Sequence, residues 1–425
     1  MSFQQGLSGL NATAQNLNII GNNIANASTY GSKTARAEFS DVYAAALGGA
    51  GAQAIGIGTT LAAVAHQFTQ GNISTTENPM DLAISGAGFF QVTDGMNPPL
   101  FTRNGQFKVD RDGYIVNNGG LRLMGYSADA QGIIQPGKSV ELKLPTAGVS
   151  PSATKEVLLE MNLDSRRDIT KPAGVPSIDF DDAETYNNAT SLIVHDAKGQ
   201  EVALTYFFQK TATDTWDVYA TANGVTVAGT AAAPLPVTTL EFEPDGSTPK
   251  TPVPPLPSLD QIPLTVSAGV NAQGAETLEI NMVLDVTSAT QFGSAFGVTD
   301  LRQDGFSAGL LTAITVESNG IVTARYSNGR SRPAGQVEIA NFRNPQGLQS
   351  VGGNSWARTY ASGDPVAGVP GDGALGSLQA GALEESNVDL TGELVNMITA
   401  QRSYQANAQT IKTQDQVLQA LLNLR

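Results

Sequence analysis

Apolar positions near both ends of the chain recur with a four–three spacing. Toward the C-terminus the series is Leu390, Leu394, Met397, Gln401, Tyr404, Ala408, Ile411, Asp415, Leu418 and Leu422. That is a heptad seam with polar breaks at Gln401 and Asp415. No proline interrupts it, and Asp389 or Ser386 can cap its start by accepting a backbone N–H bond. At the other end Phe3, Leu7, Leu10, Ala14, Leu17, Gly21 and Ile24 repeat the spacing. The pattern predicts helices over 1–30 and 386–425, pairing as a coiled coil, with each other, with other copies of the chain, or both. Gly6, Gly9 and Gly21 each cost a helix about 1 kcal/mol relative to alanine. The N-terminal helix is therefore expected to be weak alone, and both ends to order on association.

Between the ends the period changes to two. DLAISGAGFFQVTDG and FTRNGQFKVDRDGYIVNNGGLRLMGY alternate apolar and polar residues and break at Asn-Gly, Asp-Gly and Gly-Gly, which are hairpin signals. Strand texture continues through SLIVHD, EVALTYFFQK and TWDVYAT, then resumes in LTAITVESNGIVTARYSNGR after a proline-rich excursion at 234–263. An echo between DGYIV and NGIVTARY predicts one β-domain interrupted by another. The expected class is mainly β with terminal α-helices and nested all-β domains. The expected organisation is an N-terminal helix at 1–30, a connector at 31–75, an inner β-domain at 76–145 and 301–385, an inserted outer β-domain at 146–300, and the C-terminal helix at 386–425. The Gly- and Ala-rich stretch at 47–65 reads as a flexible segment or an extended β-arm.

Charge sharpens this reading. The first 32 residues contain no Asp, Glu, Lys or Arg, and Lys33 is the first charge. Solvated helix faces usually carry charges, so an uncharged polar face suits close packing between helices. Over the whole 425 residues the net charge is −15. That argues against nucleic acid and anionic membrane surfaces, which call for a basic footprint. Cysteine is absent, which removes disulfides, thiolate metal sites and a cysteine nucleophile. Neither a cleavable signal peptide nor an apolar spanning segment is legible, so no membrane insertion is expected.

Catalytic patterns are scarce, and no enzyme activity, cofactor or metal is expected. His195 beside Asp196 reads as a turn-flanking residue, and His66 is the other histidine. SGAGFF lacks the third glycine of a dinucleotide loop. DRDGY at 110–114 lacks the later Gly and Glu of a calcium loop. The acids of DFDDAE at 179–184 read as a solvated loop, and no spacing selects a glycosidase pair.

The two ends together resemble the axial proteins of the bacterial flagellum, the rod and hook family, and most closely its hook subunits. NIIGNNIANASTYGSK resembles that family's Asn-Asn-Ile-Ala-Asn motif followed by Thr-x-Gly and Lys, here Asn22, Asn23, Ile24, Ala25, Asn26, Gly31 and Lys33. The β-stretches quoted above, ANFRNPQGLQSVGGN, SGDP and the closing ESNVDLTGELVNMITAQRSYQANAQTIKTQDQVLQALLNLR are similar to it as well. Ser32 departs from the pattern, standing where the family carries an aromatic residue. The resemblance implies a structural subunit, exported without cleavage by the flagellar type III apparatus to an extracellular position. It implies a helical homopolymer, with the terminal helices as an inner tube and the β-domains as outer layers, working as a curved universal joint from rod to filament. Implied partners are other copies of the chain, the distal rod protein, the hook cap and the hook–filament junction proteins. A distal rod subunit shares the terminal motifs but is much shorter. A secreted adhesin would explain the Thr-rich middle but not heptads at both ends.

Overall fold

The computed structural model describes residues 2–43, 56–129, 132–170, 178–250, 257–271 and 273–423. The chain divides into two units. One comprises 1–146, 312–325 and 331–425; the other comprises 147–311 and 326–330. The second therefore interrupts the first, and the interruption runs eleven residues past the expected boundary at 300. The reason lies in pairing. Strand Gly297–Gln303 lies antiparallel to Glu156–Asn162 inside the second unit, with Leu159 opposite Leu301. The Gly148–Gly309 region closes the same way, through an antiparallel bridge between Val149 and Gly309.

In the first unit, helix α1 (Ser2–Ala25) leads into an antiparallel arm of strands β1 (Ala35–Tyr43) and β2 (Gly56–His66). The part of the Gly-rich 47–65 stretch before Gly56 lies outside the described residues; the part from Gly56 on is β-arm. Beyond the arm, an antiparallel sheet runs in the order Leu311–Val316, Ile321–Tyr326, Ser331–Val337, Arg122–Ser127, Phe89–Thr93, Leu100–Thr102, Ser355–Ala357 and Gln349–Gly352. Side-chain alternation gives it two apolar faces. Phe90, Val92, Leu123, Val337 and Ile339 point into one cluster, while Phe89, Phe101, Ala340 and Trp356 point into another. Both are buried, so all five residues of Phe89–Thr93 are buried, polar Gln91 and Thr93 included. Strand Ser377–Ala380 pairs with Leu82–Ser85, and Ala382–Glu384 pairs with Ile73–Thr75. The chain then enters helix α2 (Leu390–Asn423). Asp389 Oδ1 accepts from Thr391 N at 3.0 Å, so Asp389 supplies the expected cap.

The second unit has two sheets sharing one core. A four-stranded sheet places Glu156–Asn162 between Ile280–Asp285, to which it is parallel, and Gly297–Gln303. The other is built on Asn188–His195, Glu201–Ala212 and Thr215–Ala222. Alternate residues of both, among them Leu159, Met161, Leu204, Tyr206, Phe208 and Trp216, fill the space between them. Trp216 Nε1 donates to Gln291 Oε1 at 2.9 Å, which satisfies the buried indole. The carboxylates that raised chemical readings build turns. Asp110 Oδ1 accepts from Asp112 N and Tyr114 N. Asp196 accepts from Lys198 N, Gln200 N and Leu278 N. In the 179–184 cluster, Asp179 accepts from Asp181 N and Asp182 from Glu184 N.

A candidate assembly site at the paired terminal helices

Helices α1 and α2 pack antiparallel within one chain, and small and polar residues stand at their closest approaches. A Cβ at Gly6 would lie 3.1 Å from Ile411 Cγ1, and one at Gly9 would lie 3.0 Å from Asn407 Nδ2. Asn407 Nδ2 also reaches Thr13 Oγ1 at 3.5 Å, and Asn23 Nδ2 donates to Glu393 Oε1 at 3.0 Å. Ala12, Ile20, Asn23 and Ala400 are buried on this face. Glycines that weaken an isolated helix here let a second helix approach. The two terminal helices thus pair as expected, with small and polar residues and the seam residue Ile411 at their closest approaches.

The remaining described seam residues keep part of their surface exposed. Leu7, Leu390, Leu394 and Tyr404 are exposed at 44, 47, 46 and 37%. Leu10, Ala14, Leu17, Ile24, Met397 and Ala408 are half-buried. The side chains of Phe3, Leu418 and Leu422 lie outside the described residues. Val395 and Ile398, which the heptad reading passed over, are exposed at 58 and 52% and widen the apolar face of α2. The described part of each helix is continuous, Ser2–Ala25 and Leu390–Asn423.

The Asn-Asn-Ile-Ala-Asn stretch makes the joint between α1 and the arm. Asn23 behaves as a strand neighbour to Ala35. Its Oδ1 accepts from Ala35 N at 2.9 Å and its Nδ2 donates to Ala35 O at 2.8 Å. Asn26 Nδ2 donates to Asn22 O at 2.9 Å where the helix ends. Asn22 and Ala25 are exposed. Gly31 sits at φ +70°, and a Cβ there would run into the backbone of Asn104. Gly31→Ala is therefore expected to lower the thermal midpoint of the single chain, through both backbone strain and collision. An unchanged melting curve would refute this. Ser32 is buried at the same point. Its backbone N–H closes a turn onto Thr29 O at 3.2 Å.

Lys33 is completely buried, and its partner comes from the far end of the sequence. Its Nζ lies 2.6 Å from Glu384 Oε1 and donates to Thr69 O at 2.8 Å. Arg103 NH1 reaches Glu384 Oε2 at 3.2 Å, and Arg103 NH2 donates to Gly86 O. Gly71 N donates to Glu384 Oε1 at 2.9 Å, and Gly31 N donates to the Glu384 carbonyl at 2.8 Å. One carboxylate thus binds the end of the α1 turn, the returning arm, the inner sheet and the strand before α2. Burial pushes the Lys33 ammonium below the usual lysine range, and the Glu384 charge opposes that shift. Burial lowers Arg103 in the same way, again against Glu384. Both directions record the cost of removing cations from water, which the shared carboxylate offsets.

Asn387 closes the joint. Its Oδ1 accepts from Thr34 N at 2.8 Å and Thr34 Oγ1 at 2.9 Å. Its Nδ2 donates to Gln67 O at 2.8 Å and Thr69 Oγ1 at 2.8 Å. Asn387→Ala leaves several of these groups unpaired, and the expected loss is about 1–3 kcal/mol in denaturant unfolding of the single chain. A loss below a few tenths would overturn the role. Glu384, Arg103 and Asn387 were not singled out in the sequence. The available signal was Lys33 itself, the first charge after 32 uncharged residues. A groove of about 650 Å³ between α1, the arm and α2 has Arg36 and Glu393 as its ionisable lining groups. Glu393 is already engaged by Asn23, so the groove holds no catalytic constellation.

Four family models match the chain in order. They are the flagella basal body rod protein at residues 3–33, the flagellar hook protein FlgE/F/G D1 domain at 83–183, the flagellar basal body protein FlaE D2 domain at 162–306, and the flagellar basal body rod FlgEFG protein C-terminal at 379–424. The flagellar hook protein FlgE of Salmonella typhimurium is 38% identical over 429 residues, covering all of both chains. That of Escherichia coli is 37% identical with the same coverage. That of Borreliella burgdorferi is 31% identical, covering all of this chain and 99% of its own. The chain belongs to the flagellar hook protein family. Its relatedness spans the inserted unit, which a shared set of terminal motifs alone would not. The crystal structure of the Helicobacter pylori flagellar hook protein FlgE2 has a TM-score of 0.50 at 15% identity, over 73% of this chain and 99% of that one; it supports the fold. A hook protein is a structural component of the flagellum, and the joint around Glu384 is accordingly a structural device.

Proposed function

We propose that copies of this hook protein polymerise through α1 and α2 into a short curved tube that acts as a universal joint, carrying torque from rod to filament. The observation that carries this reading is the apolar face left on the paired helices. Leu390, Leu394, Val395 and Ile398 lie within nine residues and are each about half exposed. Burying a large apolar side chain contributes about 1.5–3 kcal/mol when desolvation is complete. A helix surface of this kind, beside a polar in-chain contact, suits packing against neighbouring copies. The seam residues of both termini are the proposed inter-subunit contacts, with Gln401 and Asp415 fixing register.

The distal rod protein, the hook cap and the hook–filament junction proteins are the proposed neighbours along the axis. Export by the type III apparatus, without cleavage and to an extracellular position, follows from the same reading. The 147–311 unit is assigned to an outer layer whose polar surfaces slide as the bent tube rotates. Electron microscopy of cells lacking the gene tests the whole: hooks missing above intact rods is the expected picture, and normal hooks would overturn it. Excising 147–311 should leave tube formation in place and change bending. Loss of all assembly would instead assign that unit to the tube wall.

A further inference from the structure

Tyr360 is fully exposed, at 105% of its reference area, on a turn held by several hydrogen bonds. Thr359 Oγ1 donates to Gly347 O at 2.6 Å and accepts from Ala361 N at 3.1 Å. Thr359 N donates to Ser362 Oγ at 3.0 Å, and Ser362 Oγ donates back to Thr359 O at 2.9 Å. Ser362 is itself buried, and Asn344 Nδ2 donates to Ala361 O at 3.1 Å. A Cβ on Gly347 would lie 2.6 Å from the Ala361 carbonyl carbon, so the turn is pressed onto the preceding segment. Arg358 and Asp364 pair across its base. A single exposed apolar residue needs no explanation. An exposed tyrosine on a pre-ordered turn is different, because the backbone that presents it is already fixed in the free chain and only the side chain's own rotamer entropy remains to be lost.

The surroundings indicate what covers it. Between Pro345 and Gly371 the charged residues are Arg358 and Asp364, which neutralise each other, in a chain whose net charge is −15. Two like copies repel over most of their surface and can approach where the local charge cancels. Strand Gln349–Gly352, at one end of the sheet order, is exposed at all four positions and uncharged. Val351 and Val366 in the same segment are exposed at 50 and 59%. Interface cores are depleted of charge and enriched in tyrosine. We infer that Tyr360, presented by the 358–364 turn, is an anchor residue of a contact with a second copy of this chain, separate from the helix contacts. The inference rests on polymerisation as proposed above.

The absence of cysteine makes the test specific. In Y360C the single thiol is expected to react freely with a maleimide in the monomer and to be protected in assembled tubes. Electron microscopy of wild-type tubes checks polymerisation separately from the anchor. Equal labelling in monomer and tube overturns the anchor while leaving polymerisation intact. Wild-type protein that forms no tubes overturns both. Should Y360C fold yet fail to assemble, hydroxyl-radical footprinting of the wild type decides: Tyr360 oxidised less in tubes supports the inference, and equal oxidation refutes it. Y360A is expected to raise the critical concentration for tube growth about tenfold, the scale of a modest interface anchor, with Y360F closer to wild type.

Discussion

Glu384→Gln is expected to destabilise the single chain by about 3–5 kcal/mol, because it leaves Lys33 and Arg103 buried without a counter-charge. Glutamine keeps the volume and one acceptor oxygen, so the loss reports charge rather than packing. Denaturant unfolding of monomer should show a lower midpoint, and limited proteolysis should open the arm and the joint first. Residues that share a partner do not act additively. The double variant Lys33→Met with Glu384→Gln should therefore lose less than the sum of the two singles, since one uncompensated cation has gone and methionine tolerates the dry site. A Glu384→Gln protein within 1 kcal/mol of wild type would refute the account, on the scale set by the cost of an unpaired buried charge.

Leu394→Asp is expected to abolish tube formation while leaving the single chain folded. Leu394 is 46% exposed, so the monomer loses little. In the polymer the substitution removes burial of the part of the side chain still exposed in the single chain, about 1 kcal/mol per subunit, and adds the desolvation of a carboxylate. Those penalties recur at every copy. Circular dichroism of the monomer should be unchanged, and sedimentation should show no polymer. Ile20→Asp is the contrasting case. Ile20 is buried at 5% exposure on the in-chain face, so its loss should appear already in the monomer. Normal tubes from Leu394→Asp would overturn the apolar face of α2 as an assembly surface.

Much of the architecture was legible in one dimension. A four–three spacing from Leu390 to Leu422 could only be satisfied by a helix, and an Asn-Gly or Asp-Gly between alternating runs could only be satisfied by a hairpin, because these periods are set by backbone geometry. Of the seven residues of the family motif, Asn23, Gly31 and Lys33 make the tightest contacts of the joint. Their partners did not stand out. Lys33 and Glu384 are 351 positions apart. Asn387 was one polar residue among many before a helix cap. The end of the insertion was misplaced because Gly297–Gln303 carries the same alternation as the strands of either unit, and only its pairing with Glu156–Asn162 assigns it.

Local periodicity and residue chemistry thus determined the elements of this hook protein: which segments are helix or strand, that its middle interrupts a first β-domain, and that its ends carry apolar seams. Tertiary structure decided which helix face meets which. Gly6, Gly9 and Asn23 turn inward against Asn407 and Glu393, because backbones can approach closely where side chains are small. Of the large apolar seam residues, Ile411 joins that contact, while Leu7, Leu390 and Leu394 stay about half exposed. Such a choice depends on which surfaces can reach one another in space, and no spacing along the chain encodes it.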